Sequence, residues 1–197
     1  MRILGVDPGS NATGVGLVER EGSRVHHVHH GVLRPPAGAE LSIRLDFLYA
    51  RLLEVVREQK PDVAIVERVF IAANPRSALV LGQARGALLA ALGASGVRVT
   101  EIAAREAKKA ITGSGAADKK QMQLMVTRLL KLEKAPATDA ADALALALSY
   151  AQAGPLADLP TKSRRRSHRR AMTEAYSGAS GASGASGTSG TQGGRSS

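Results

Sequence analysis

Four carboxylates stand where a cation could use them. Asp7 ends the apolar run Ile3-Leu4-Gly5-Val6, after which Pro8-Gly9-Ser10-Asn11 turns the chain. Glu67 ends a second run, Val63-Ala64-Ile65-Val66, and Asp139 and Asp142 follow Pro136-Ala137-Thr138 at a spacing of three. A carboxylate at the end of a strand covered on both faces is costly to desolvate without a partner, and a cation is the usual one. Asp139 and Asp142 would share one face of a first helical turn, where the helix dipole favours the ionised forms. Taken singly, each acid has an ordinary reading as a turn or helix cap. Taken together they offer only oxygen ligands, which select hard cations such as Mg²⁺ or Mn²⁺. Two such ions side by side can stabilise both the attacking and the leaving oxygen in phosphodiester hydrolysis.

The charge balance agrees with a phosphate-rich partner. The chain holds 27 Lys and Arg against 17 Asp and Glu, a formal net charge of +10. Residues 1–154 contribute twenty basic and fifteen acidic residues, and the rest seven and two, so the body of the chain is basic without its end. That favours a polyanion, without choosing between DNA, RNA and membrane. There is no cysteine, which excludes disulfides and thiolate metal sites and fits a reducing, cytoplasmic setting. No run approaches the roughly 18 consecutive apolar residues of a membrane span, and no signal-peptide pattern opens the chain. The expectation is a cytoplasmic protein with no membrane partner.

The elements that must position the acids follow from pattern. The first strand pairs with a hairpin partner over Ala12 to Glu19, and Glu21-Gly22-Ser23 turns into a third strand, Arg24 to Leu33. That strand holds His26, His27, His29 and His30. Regular alternation sets His26 with His30 and His27 with His29, as a solvated edge rather than a zinc or nickel site. A helix from about Glu40 to Gln59 carries Leu41, Leu45, Leu48, Leu52 and Val55 on one face. Because a helix intervenes, the strand ending on Glu67 should run parallel to the first and bring Glu67 to the same sheet end as Asp7. Asn74-Pro75 opens a further helix to about Leu92, in which Gly82 and Gly86 suggest close packing, internal or across a dimer. Val97 to Ile102 is a fifth strand, Arg105 to Gly115 leads on as a segment ending in a loop, and a helix begins near Asp118 with Leu124, Val126 and Leu129-Leu130 inward. Lys119 and Lys120 at its start oppose the helix dipole and read either as placed for a ligand or as solvated lysines on a helix end. The last helix runs from Asp139 to about Gln152. Residues 1–153 thus read as one nuclease-like domain. Residues 154–197, with the basic cluster KSRRRSHRR and a GAS repeat, lack the apolar content to fold and read as a flexible tail.

Four blocks, ILGVDPGSNATGVGLV, VERVFIAANPRSALVLGQARG, ITGSGAADKKQMQLMV and ATDAADALALAL, resemble in order and spacing the RuvC-type Holliday-junction resolvases. The resemblance implies an α/β, RNase H-like fold, a five-stranded mixed sheet flanked by helices, acting as a homodimer on four-way junction DNA alongside a RuvA/RuvB branch-migration complex. It implies Asp7, Glu67, Asp139 and Asp142 as the metal-binding catalytic acids, with Mg²⁺ (or Mn²⁺), two ions per site. It also implies Phe70 at the junction centre, Lys108 and Lys119 on DNA phosphates with Lys119 assisting the chemistry, and Arg76 as a further DNA contact. Ala73 stands where the family often has Lys. Two other functions compete: a kinase-like phosphotransferase of the actin or sugar-kinase type, and a junction-binding protein that does not cut.

Overall fold

In the computed structural model, residues 1–68 and 74–153 are described. Five strands, β1 (Arg2–Asp7), β2 (Thr13–Glu21), β3 (Arg24–Leu33), β4 (Val63–Arg68) and β5 (Arg98–Ala103), form one sheet in the order β3-β2-β1-β4-β5. The first three make an antiparallel meander, and β4 and β5 add in parallel on the far side of β1. The α1 helix (Leu41–Gln59) and α2 (Pro75–Ser95) supply the two crossovers, as parallel pairing requires. The sheet is therefore mixed, and its middle strands β1 and β4 are almost wholly buried.

The two faces have separate cores. Leu4, Val6, Leu17, Ala64 and Val66 point to α1 and α2, where Leu48, Leu52, Val56, Leu88 and Leu92 meet them. On the other face Ile3, Val18, Val63 and Ile65 meet α3 (Ala104–Thr112), α4 (Lys119–Leu129) and α5 (Thr138–Ala153). Val56 rather than Val55 completes the buried stripe of α1, since the helical period drifts by a residue over that length. In α4 the inward residues are Met122, Val126 and Leu130, while Leu124 is 50 % and Leu129 40 % exposed. The helix phase is set by its cap: Asp118 accepts from the Gln121 amide and Gln121 accepts from the Asp118 amide, so the apolar stripe starts at Met122. The segment after β5 is a helix, α3, rather than a connection leading into a loop.

The β3 edge departs from simple alternation. Leu17 pairs with His29 and Val18 with His27, so Val28 is an extra residue in a bulge. The bulge moves His27 and His30, not His27 and His29, onto one face, and their ring nitrogens lie 2.7 Å apart. Burial, followed by neighbouring histidine charge, pushes both below the ordinary imidazole value. Among the described residues no third donor joins them.

The α2 helix is apolar along its length, with a mean hydropathy of 1.3 over an 18-residue window of which 22 % is buried. By length and composition alone it could cross a membrane. Its inner residues Ala84, Leu88, Ala91 and Leu92 are buried against the sheet and α1, whereas Leu79 is 64 % exposed. A Cβ added at Gly82 or Gly86 would meet nothing within 4 Å, so these glycines serve no packing among the described residues.

Candidate active site

The parallel register of β1 and β4 pairs Val6 with Val66, which carries Asp7 and Glu67 to the same end of adjacent central strands. Beyond Asp7 the chain turns back, and the turn is closed by Thr13, whose buried hydroxyl donates to the Gly9 carbonyl at 2.8 Å. The third carboxylate arrives on α5, and glycines decide how near it comes. A Cβ at Gly14, the partner of Asp7 in the hairpin, would stand 1.9 Å from the Asp139 carbonyl oxygen. One at Gly5 would stand 1.8 Å from the Ala143 carbonyl oxygen, and one at Gly16 2.7 Å from Leu144. With hydrogen at those positions, α5 lies directly on β1 and β2 and its first turn reaches the strand ends.

Asp7, Glu67 and Asp142 line one cavity of about 230 Å³ together with Lys108 on α3, Lys119 on α4, Met122, Ala104 and Ala107. Asp139 lies at its edge: its charge acts on both Asp7 and Asp142, and Arg34, just past β3, approaches it at 3.9 Å. The acids crowd each other. Burial, then a hydrogen bond to Glu67 and the charges of Glu67, Asp142 and Asp139, push Asp7 up to about 9. Burial also raises Asp142, opposed by Lys119 and, more weakly, by Lys108. Raised so far, the Asp7 carboxyl keeps its proton at neutral pH, and among the described residues no three donors stand at the spacing of a closed metal shell. The donor set fits a hard dication, because all four groups are carboxylates whose mutual repulsion positive charge would relieve.

Of the other residues singled out in the sequence, Arg76 is exposed in the first turn of α2, its amide held by the Asn74 cap at 3.0 Å. Phe70 and Ala73 lie outside the described residues, as does the segment 154–197. Three arginines near the site escaped sequence reasoning: Arg34 beside Asp139, Arg44 on α1 bonded to the Ser10 carbonyl, and Arg85 on α2 bonded to the Glu67 carbonyl. Nothing local marks them, because each contact joins residues far apart in sequence.

A mixed five-stranded sheet with helices on both faces, carrying acids at the ends of β1 and β4 and at the start of α5, defines a nuclease of the RNase H-like class. Residues 3–150 match the family described as crossover junction endodeoxyribonuclease RuvC. The chain belongs to that family. It is 49 % identical over 158 residues to the protein of that name from Bordetella parapertussis, covering 80 % of this chain and 87 % of the relative. It is 50 % identical over 156 residues to the one from Bordetella avium, covering 79 % and 86 %. Among solved structures, Thermus thermophilus RuvC in complex with a Holliday junction substrate superposes with a TM-score of 0.73 at 32 % identity, covering 79 % of this chain and 96 % of that one. The yeast mitochondrial Holliday junction resolvase Ydc2 shares the fold, with a TM-score of 0.60 at 16 % identity.

Proposed function

We propose that this chain is a structure-selective endonuclease that resolves four-way DNA junctions in recombination and repair by paired nicks in strands of like polarity. The observation that carries the reading is the gathering of Asp7, Glu67 and Asp142, with Asp139 at the rim, around a cavity that also holds Lys108 and Lys119. Carboxylates so crowded would only repel a phosphate unless cations accompanied them, which argues against a protein that binds junctions without cutting. One described lobe with a single such cavity leaves no second phosphate-holding lobe for a kinase-like transfer.

Asp7, Glu67, Asp139 and Asp142 would hold Mg²⁺, or Mn²⁺ in its place, as two ions. Bound there, the ions supply Lewis-acid activation of the attacking and leaving oxygens. The remaining work falls to the chain. Lys119, anchored as the first residue of a capped helix, offsets charge that builds on the phosphate oxygens, and Lys108 holds the neighbouring phosphate. Burial of the cavity floor by Met122, Ala107 and Ala145 keeps bulk water from screening these charges. The nuclease domain is residues 1–153, with Phe70 at the junction centre and Arg76 as a further DNA contact. The protein works as a homodimer, each subunit cutting one strand. In support, α2 leaves Leu79 and the Gly82-Gly86 strip open to a second copy. A RuvA/RuvB complex is the expected companion, and the cytoplasm the expected compartment.

A synthetic four-way junction incubated with the protein and Mg²⁺ tests the reading, with Asp7→Asn and Glu67→Gln alongside. The expected result is symmetrical ligatable nicks by the wild type, and junction binding without cleavage by both variants. Equal cleavage by a variant would remove that acid from the mechanism. Slower cleavage by Lys119→Ala and by Lys108→Ala is also expected, since both ammonium groups line the cavity beside Asp142.

A further inference from the structure

Each acid-bearing strand end has a second support, reaching it from behind the sheet. The Glu67 side chain lies in the cavity on the α3–α5 side, whereas its carbonyl oxygen accepts a hydrogen bond at 3.2 Å from Nε of Arg85, on α2. Nη2 of the same arginine donates at 2.5 Å to Oε1 of Glu101 on β5, whose other oxygen faces Nε of Arg68 at 3.9 Å. Arg68 Nη2 adds a bond to the Glu101 carbonyl at 3.4 Å. Arg85, Glu101 and Arg68 therefore form one linked set, joined to the Glu67 carbonyl through Arg85. At the neighbouring strand, Arg44 on α1 donates from Nε to the Ser10 carbonyl at 3.0 Å, three residues past Asp7. Both helices belong to the layer that carries none of the four acids.

We infer that Arg85 is a positioning residue for metal binding, fixing the main chain at Glu67 so that its carboxylate stays directed at Asp7 across the sheet end. The inference rests on the assignment of Glu67 as a metal-holding acid. The physical reason is one-sided support: at Glu67 the main chain of β4 has lost its pairing to β1, so the strand end can yield away from Asp7. Ladder bonds to β1 pair residues only as far as Val66, and at Glu67 and Arg68 the β4 ladder has β5 alone. A guanidinium half-sunk behind the sheet, at 20 % exposure, resists that yielding in two directions at once, because its planar fork ties the carbonyl and the β5 carboxylate together. Arg44 has the same design one step removed, and its effect should be smaller because Ser10 is not itself an acid.

The test uses the full chain and reads metal binding directly. Mn²⁺ is titrated into wild type, Arg85→Gln, Arg85→Lys and Arg44→Gln without DNA, and bound ion is followed by loss of the free-ion electron paramagnetic resonance signal. Junction cleavage against Mg²⁺ concentration, junction binding without metal, and melting temperature are measured on the same samples. Arg85→Gln should weaken Mn²⁺ binding and raise the Mg²⁺ concentration for half-maximal cleavage by about tenfold, the scale of lost outer support at a metal site. The maximal rate and metal-free junction binding should stay near wild type. Arg85→Lys should recover part of the loss by keeping one donor, and Arg44→Gln should shift both readouts less than Arg85→Gln. Unchanged Mn²⁺ binding in a folded Arg85→Gln protein overturns the inference, as does a fall in maximal rate with no change in metal dependence. Glu67→Gln separates the two levels: if it binds Mn²⁺ and cleaves as wild type does, the assignment of Glu67 fails first.

Discussion

The two faces of the sheet are packed by different rules. On the α1–α2 face, Leu, Val and Ala side chains interlock across an ordinary gap, and every glycine of α2 has room for a side chain. On the α3–α5 face, the alanine-rich α5 lies so close to β1 and β2 that Gly5, Gly14 and Gly16 admit no Cβ. Side-chain layers of the first kind can absorb a change of volume by repacking, at a cost set by the cavity left behind. Backbone-on-backbone contact of the second kind cannot, since neither surface has a rotamer to give up. The helix that carries Asp139 and Asp142 is the one held in this rigid way. Precision therefore sits where the acids must meet, and tolerance sits behind it.

The largest expected effects follow from that asymmetry. Gly14→Ala or Gly5→Ala should cost about 3 kcal/mol or more, because the new methyl would overlap a carbonyl of α5 and force the helix outward. Cleavage should fall further than the folded fraction does, since lifting α5 separates Asp139 and Asp142 from Asp7. Leu52→Ala, wholly buried on the other face, should cost about 2–5 kcal/mol by denaturant unfolding. Its cleavage rate per folded molecule should nevertheless stay near wild type. If Leu52→Ala damaged cleavage as severely as Gly14→Ala at matched stability, the two faces would not differ in the way described.

A smaller effect separates the faces by pH. Asp7 is raised to about 9 in the metal-free fold, against an ordinary value of 3.8, so the fold binds a proton that the unfolded chain has already released. The sign follows: stability falls as pH rises through the window between those two values, and the loss is complete above the folded value. Metal-free melting temperatures should therefore drop between pH 5 and pH 9, and Asp7→Asn should flatten that slope and melt higher than wild type at neutral pH. Saturating Mg²⁺ should flatten it too, by taking the proton's place. A Leu52→Ala protein should keep the wild-type slope at a lower temperature throughout.

Much of this was legible in the chain. The apolar runs ending on Asp7 and Glu67 mark two strands, and the helix between them requires parallel pairing, which by itself places the acids side by side. The helix over Ala104–Thr112 was harder to see because charged residues dominate it; the inward pair Ala107 and Ile111, four apart, was the available signal. Alternation misassigned the histidine pairs because a bulge adds one residue to one strand and leaves no trace in a period of two. Hydrophobicity alone turns Leu124 inward, whereas the cap that fixes the helix phase turns it to solvent. The glycines at 5, 14 and 16 were visible, but whether a glycine serves a turn or a close approach depends on what lies opposite. The same holds for Arg34, Arg44 and Arg85, whose partners are set only by the fold.

The smallest effect concerns the tolerant face itself. Gly82 and Gly86 lie within a helix, are exposed, and face empty space, so alanine at either should favour α2 by up to about 1 kcal/mol through helix propensity alone. Measured on dilute protein, the double variant should unfold at higher denaturant than wild type. Glycines held at that disadvantage on an apolar, outward strip beside Leu79 make sense if another backbone comes close there, as it would in a dimer formed through α2. Sedimentation equilibrium should then show the same alanines weakening self-association while the single chain gains stability, an opposition of sign that no change confined to one chain would produce. Stabilisation with association unchanged would place the second copy elsewhere, and the α1–α2 layer would be left with one role, holding the strand ends from behind.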